Sequence, residues 1–334
     1  MRKLCLLFCA LSVCFTVYIS IQSPLFVSAS AAAEIAMELT TQTTLCERNA
    51  DSRLPMASTT KIMTAIIIIE DCNLDEELTV DDEAVGVEGS SIYLKKDEQI
   101  NVKDLIYGLM MRSGNDCATA LAIHHSGSIE KFVEEMNSRA KTMGAENTSF
   151  ANPSGLPDEN HYTTARDLCK IACYSMRNEI FKEVVGTKNY SGKFRSYVNK
   201  NKMLSICDGA NGVKTGYTLK AGRCLVSSCE RDGMDVVSVV LNCPDMYERS
   251  CEIFDECFSK YSLVKIDENR VFMSDKVLCK VKNPRIFVVN KGNLLDFKVK
   301  PIEKATKKKL GGAVAILEIR DQNGLLLEEK LYSI

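Results

Sequence analysis

A serine and a lysine three residues apart, Ser58 and Lys61, head an apolar run from Ile62 to Ile69. At a helix start, positions i and i+3 share one face, so the amine reaches the hydroxyl. A serine alcohol is a weak nucleophile until a base takes its proton, and a lysine serves as that base only when apolar surroundings depress its pKa. The isoleucines after Lys61 supply such surroundings, and the helix N-terminus adds positive potential at Ser58. Spacing alone decides little. The same pairing recurs at Ser128 and Lys131, Ser138 and Lys141, and Ser262 and Lys265, in charged helical or linker sequence where a solvated lysine is the expected state.

Two further groups change the odds. Ser113-Gly114-Asn115 places a serine and an amide at the end of an apolar segment, and Lys214-Thr215-Gly216 stands at the head of a strand; each pattern occurs once in the chain. Lys214 is suited to hold a carboxylate, with Thr215 hydrogen-bonding it. Gly216 would let a substrate backbone approach the strand edge, so an edge strand beside a nucleophile reads as a peptide slot.

The elements that must position these residues follow from periodicity. Residues 34–57 read as strand, turn and strand, and a helix capped by hydroxyl residues is expected from Ser58 to Glu70. After a polar stretch come helical patterns over 105–127, 128–145 and 164–178. From about residue 213 the period becomes that of strands, with a hairpin turn at Arg231-Asp232-Gly233, then a helix over 247–261. Short strands follow, the last two joined at Asn323-Gly324. The order predicts an α+β fold: an antiparallel sheet flanked by helices, with a small all-β C-terminal domain.

With 334 residues the chain has room for about two domains. Forty-two basic residues against forty-four acidic ones leave no excess for a nucleic-acid surface, so that class of partner is excluded. Arg2 and Lys3, the apolar stretch Leu4 to Ile21 and the small residues Ala29 to Ala33 read as a secretory signal peptide cleaved near Ala31 or Ala33, in preference to an uncleaved anchor. The domains are therefore drawn as 1–31 leader, 32–265 and 266–334. Of fifteen cysteines, Cys5, Cys9 and Cys14 belong to the leader, and the other twelve are scattered with no CxxC. Cys169 and Cys173 share a helix face, where free cysteine acts as a small hydrophobe, so reduced thiols and a low-oxidant host are expected. The sequon at Asn147 is set aside.

Serine and lysine, then Ser-x-Asn, then Lys-Thr-Gly, in that order, is the signature shared by penicillin-binding proteins and serine β-lactamases. The wording around the motifs, "MASTTKIMTA", "GSSIYLKKDE", "LIYGLMMRSGNDCATALA", "NTSFANPSGLPDENHYTTARDL" and "DGANGVKTGYTLKAGRCLVSS", resembles the low-molecular-weight D-alanyl-D-alanine carboxypeptidases over roughly residues 34 to 260. The resemblance implies an exported serine peptidase of the cell envelope that trims peptidoglycan stem peptides and is inhibited by β-lactams, with no cofactor and no metal. It assigns Ser58 as nucleophile, Lys61 as general base and Ser113 as proton relay to the leaving D-alanine. Asn115 would bind the substrate amide, Lys214 and Thr215 the terminal carboxylate, and the backbone N–H groups of Ser58 and Tyr217 the oxyanion. Arg223 would assist the carboxylate. Membrane attachment is expected only through an uncleaved leader, since the last residues read as a strand where many relatives carry an amphipathic helix. A β-lactamase is disfavoured because no ExxLN-type loop lies between Asn115 and Lys214, and a non-catalytic wall sensor because it has no use for a base beside a serine. His124, His125 and His161, without HExxH or GxSxG, are expected to be structural. Asn152 to Gly155 and Asp158 read as an ordered loop near the site.

Overall fold

The computed structural model describes residues 31–275, 277–302 and 312–334. Its strands are β1 (Ala33–Glu38), β2 (Thr44–Arg48), β3 (Glu77–Thr79), β4 (Gln99–Asn101), β5 (Asn189–Ser191), β6 (Ser196–Val198), β7 (Ala210–Thr218), β8 (Gly222–Arg231), β9 (Met234–Leu241), β10 (Tyr261–Ile266), β11 (Val271–Ser274), β12 (Val277–Val281), β13 (Arg285–Asn290), β14 (Asp296–Pro301), β15 (Ala313–Asp321) and β16 (Gly324–Ser333). The α-helices are α1 (Lys61–Asp71), α2 (Val102–Tyr107), α3 (Asn115–Ser126), α4 (Ile129–Thr142), α5 (Ala165–Met176), α6 (Glu179–Gly186), α7 (Met203–Ile206) and α8 (Met246–Lys260).

The α+β expectation holds. An antiparallel sheet of order β2-β1-β9-β8-β7 carries the larger part of the chain. It is buried on both faces, and the pleat divides its side chains: Ile35, Met37, Val226, Val237 and Val239 join one core with α1 and α5, while Ala36, Leu225, Val236 and Val240 join a second core with Ile253 and Phe254 of α8. Asp232 and Gly233, both at positive φ, make the tight turn between β8 and β9. The strand β7 is an edge of this sheet.

Helix α1 runs through the core, its residues Ile62 to Ile69 all buried, which is why its apolar character does not alternate. Its start differs from expectation. A 3-10 turn, Ala57–Thr60, precedes it, and the threonine hydroxyls do not cap the helix but bond backwards, Thr59 Oγ1 to Met56 O at 2.6 Å and Thr60 Oγ1 to Ala57 O at 2.8 Å. The apolar segment after residue 101 is likewise not one helix. Following α2, a π-helical turn over Gly108–Arg112 ends in Ser113 at φ 65°, and α3 starts afresh at Asn115.

After α8, β10 pairs with β13, and β11-β12-β16-β15-β14 form a separate sheet over a small core of Ile266, Cys279, Val281, Leu317, Ile319 and Leu331. Strand β10 spans the expected boundary at 265/266, and the Tyr261 hydroxyl donates to Leu45 O at 3.1 Å. The final turn falls on Gln322-Asn323, one residue ahead of the expected Asn-Gly pair, with Gly324 already paired to Asp321 in the ladder. The leader expected over residues 1–31 lies outside the described residues except for Ala31. Among the described residues no helix is long and apolar enough to cross a membrane. The cysteines from Cys46 onward are not joined in disulfides, and Cys169 and Cys173 are fully buried on α5.

Candidate active site

Ser58 sits in the 3-10 turn, and Lys61 is the first residue of α1, with its side chain fully buried. Ala57, just before Ser58, is held at φ +48°, a left-handed conformation unusual for a residue with a side chain. Lys61 Nζ lies 3.1 Å from Ser58 Oγ, 2.7 Å from Asn115 Oδ1 and 2.5 Å from Ser154 O. Burial, then the charge of Lys214, drive the Lys61 pKa well below the usual 10.5. A neutral amine has two N–H groups and one lone pair. Asn115 Oδ1 and Ser154 O are pure acceptors and take the two N–H groups, so the lone pair faces the Ser58 hydroxyl. In that form the geometry suits the amine to accept a proton from Ser58.

The loop from Ala151 to His161 forms one side of the amine's cage. Asn152 Oδ1 accepts from the backbone N–H groups of Ser154, Gly155 and Leu156, which fixes the Ser154 carbonyl on Lys61. Gly155 stands at φ +90°, and a Cβ there would meet Ala57 O at 2.0 Å. Gly155→Ala is therefore expected to push the nucleophile turn aside and slow penicillin acylation by about 100-fold or more, with a lowered Tm; acylation within threefold of the parent would show that the loop does not hold the turn. His161 lies buried in this loop. Its Nδ1 accepts from Ala151 N at 3.0 Å, so Nε2 carries the proton and donates to Thr60 Oγ1 at 2.7 Å, and burial depresses its pKa to about 4. His124 and His125 lie on α3 against Glu76 and Asp71.

Ser113, Gly114 and Asn115 make the second wall. The left-handed backbone at Ser113 interrupts the helix and turns this residue to the cavity, while Asn115 N donates to Ser90 O at 2.7 Å and its Nδ2 to Glu88 O at 2.6 Å. Asn115 thus has both ends of its amide in use, one on Lys61 and one on the 88–90 backbone. Sequence reading missed Asp116, whose buried carboxylate accepts from Ser91 Oγ, Ile92 N and Leu94 N and folds the 88–94 loop over Asn115. Its signal was an acid following the Ser-x-Asn pattern inside an apolar run.

Strand β7 is the third wall, with Lys214, Thr215, Gly216 and Tyr217 along its edge. Lys214 is buried, donates to Thr215 O at 2.8 Å, and has its pKa lowered to about 7 by burial and then by Lys200. Beside the expected approach of a substrate backbone, Gly216 has a packing reason to be small: a Cβ there would stand 3.0 Å from Ser58 N and 3.1 Å from Met56 O, tight against the Ser58 turn that packs on the strand. Between the walls lies a cavity of about 610 Å³, lined by Ser58, Ser113, Thr215, Gly216, Tyr217 and Arg223. Lys200 and Tyr247, which sequence reading did not single out, also border it; they carry no motif.

A serine and a fully buried lysine at the head of a buried helix, facing an edge strand, define an active-serine hydrolase of the acyl-transfer kind. The sequence pattern of the D-alanyl-D-alanine carboxypeptidase family (peptidase S11) matches residues 19–245, and this chain belongs to that family. It is 34% identical over 262 residues to D-alanyl-D-alanine carboxypeptidase DacF of Bacillus subtilis, covering 74% of this chain and 66% of the relative, so it spans just under two thirds of that protein's length. A D-alanyl-D-alanine carboxypeptidase of Streptomyces sp. strain K15 is 38% identical over 228 residues, covering 62% of this chain and 78% of the relative. Among solved structures, penicillin-binding protein 5 of Haemophilus influenzae superposes with a TM-score of 0.76 at 25% identity over 92% of this chain and 97% of the other.

Proposed function

We propose that the mature protein is an extracytoplasmic D-Ala-D-Ala carboxypeptidase that removes the terminal D-alanine of peptidoglycan stem peptides through an acyl-enzyme on Ser58. The observation that carries this reading is the fully buried Lys61 amine, its Nζ 3.1 Å from the Ser58 hydroxyl. Ser58 Oγ attacks the penultimate D-alanine carbonyl as Lys61 takes its proton. The backbone N–H groups of Ser58 and Tyr217 receive the oxyanion, and Lys214 and Thr215, with Arg223 beside them, receive the terminal carboxylate. The proton returns to the leaving amine through Ser113, D-alanine departs, and water hydrolyses the ester. A β-lactam enters the same slot, and opening of its ring acylates Ser58 without a departing fragment. The all-β C-terminal strands are read as a separate domain outside this chemistry, and residues 1–31 as the leader that delivers the enzyme.

The test is D-alanine release from an N-acylated Lys-D-Ala-D-Ala tripeptide by the purified mature protein. Release supports the carboxypeptidase. No release from folded protein that still labels with penicillin would move the weight to a penicillin-binding sensor, and rapid penicillin hydrolysis to a β-lactamase.

The pH profile follows from the two lysines. Lys61 acts neutral and Lys214 charged, so kcat/KM is expected to be bell-shaped: it falls on the acid side as Lys61 gains a proton and on the basic side as Lys214 loses one near 7. A bound carboxylate stabilises the Lys214 ammonium, so the basic limb of kcat lies higher than that of kcat/KM. In Lys214→Arg the basic limb moves out of range because guanidinium stays charged; a basic limb still near 7 in that variant assigns it to another group. Stability moves with the same group. Between about 7 and the unfolded value of 10.5 the unfolded chain binds more protons at Lys214 than the folded one, so stability rises with pH across that window.

A further inference from the structure

Helix α1 begins at Lys61 and α3 begins at Asn115, so the two helices that carry the caged amine and its acceptor run back from the site together. At their far ends stands a group outside that chemistry. Cys72 follows the last residue of α1, the next turn brings in Glu76, and His124 lies in the last turn of α3; the ligand atoms of these three side chains all lie within 4.8 Å of one another. His124 Nε2 and Glu76 Oε1 are 2.9 Å apart, and among the described ion pairs Glu76 has no lysine or arginine. The neighbouring Asp71 differs, being held by Arg139 and His125. No hydrogen bond among the described residues occupies the Cys72 thiol. Cys72 alone of the three also borders a cavity of about 380 Å³, with Leu74, Lys103, Tyr107 and Glu183.

A thiolate, an imidazole and a carboxylate are the donors that zinc takes, three from protein and a fourth from water in an open site. With bonds of roughly 2.0 Å to nitrogen and oxygen and about 2.3 Å to sulfur, tetrahedral ligands stand about 3.3 to 3.6 Å apart. The imidazole and carboxylate are already near that spacing, and the thiol, within 4.8 Å of both, needs to close by at most about 1.3 Å. We propose that Cys72, Glu76 and His124 bind a zinc-class divalent cation, with water as fourth ligand, and so clamp the far end of α1 to α3. Binding releases the thiol proton to solvent. An α-helix of this length spans roughly 16 Å, so the ion would touch no reacting atom and would act by holding two helices together.

The probe is cobalt(II), added to untagged, chelator-stripped mature protein under reducing conditions. One equivalent should give a sulfur-to-cobalt charge-transfer band in the near ultraviolet and tetrahedral bands in the visible, and zinc(II) should displace it. Zinc at about a hundred times its Kd should raise Tm by several degrees. Cys72→Ser and Glu76→Gln should lose both signals, and His125→Ala should keep them. Each variant's near-ultraviolet circular dichroism shows that it is folded, and none of these readouts needs turnover, so the outcome stands apart from that of the carboxypeptidase assay. A parent without a cobalt–sulfur band, or a Cys72→Ser variant that retains band and Tm shift through its other thiols, overturns the proposal.

Discussion

Ser58→Ala leaves D-alanine release at background, a loss of at least about 10⁴-fold in kcat/KM, and abolishes covalent penicillin labelling. The size follows from the route: with no oxygen to acylate, only unassisted attack by water in a preorganised site remains. The fold is untouched, because the one described side-chain partner of Ser58 Oγ is Lys61, which retains Asn115 and Ser154. The Tm shift therefore stays within what about 1 kcal/mol produces. Mass spectrometry of protein incubated with penicillin reads the result directly. An adduct of unchanged occupancy on another residue of the variant would remove Ser58 from the role of nucleophile.

Lys61→Met is expected to slow acylation by at least about 10³-fold while non-covalent penicillin affinity changes by less than tenfold. The thioether fills most of the volume of the amine's stem, so the effect reads the lost base rather than a collapsed cage. Asn115 Oδ1 and Ser154 O lose their donor, each costing about 1 to 3 kcal/mol, partly offset because no amine has to be desolvated. The acid limb of the residual pH profile should vanish with the amine. Stopped-flow acylation separates rate from affinity, and turnover within tenfold of the parent would place the base elsewhere.

The sequence carried most of the machinery because each part is a short run of unlike residues. A lysine heading four consecutive isoleucines announces its own burial, and Lys214-Thr215-Gly216 stands out at a strand. The helices and the β8–β9 hairpin were equally legible, since their periods and their Asp232-Gly233 turn are local. What stayed hidden was set by contacts distant in sequence. The break at Ser113 depends on Ser90, 23 residues earlier in the chain, and the role of Gly216 depends on Met56 and Ser58, over 150 residues away. The threonines after Ser58 looked like helix caps because nothing in the sequence tells that their hydroxyls turn back to Met56 and Ala57. The pattern around Asn115 points to a substrate amide, and the contact of its oxygen with Lys61 comes only from the fold.

The placement of Lys214, Thr215 and Gly216 on an edge strand has a cost of its own. Proteins commonly shield such rims with charges, bulges or a covering loop, because a row of unsatisfied peptide groups recruits any extended chain. Here the Ser58 turn packs against β7 at Gly216 and leaves its far end bordered by the exposed Tyr217 and Leu219, as an open slot requires. The stretch proposed to admit a stem peptide would by the same chemistry offer its peptide groups to any other extended chain, and a slowly dissociating ligand in the slot is expected to suppress such pairing in concentrated stocks.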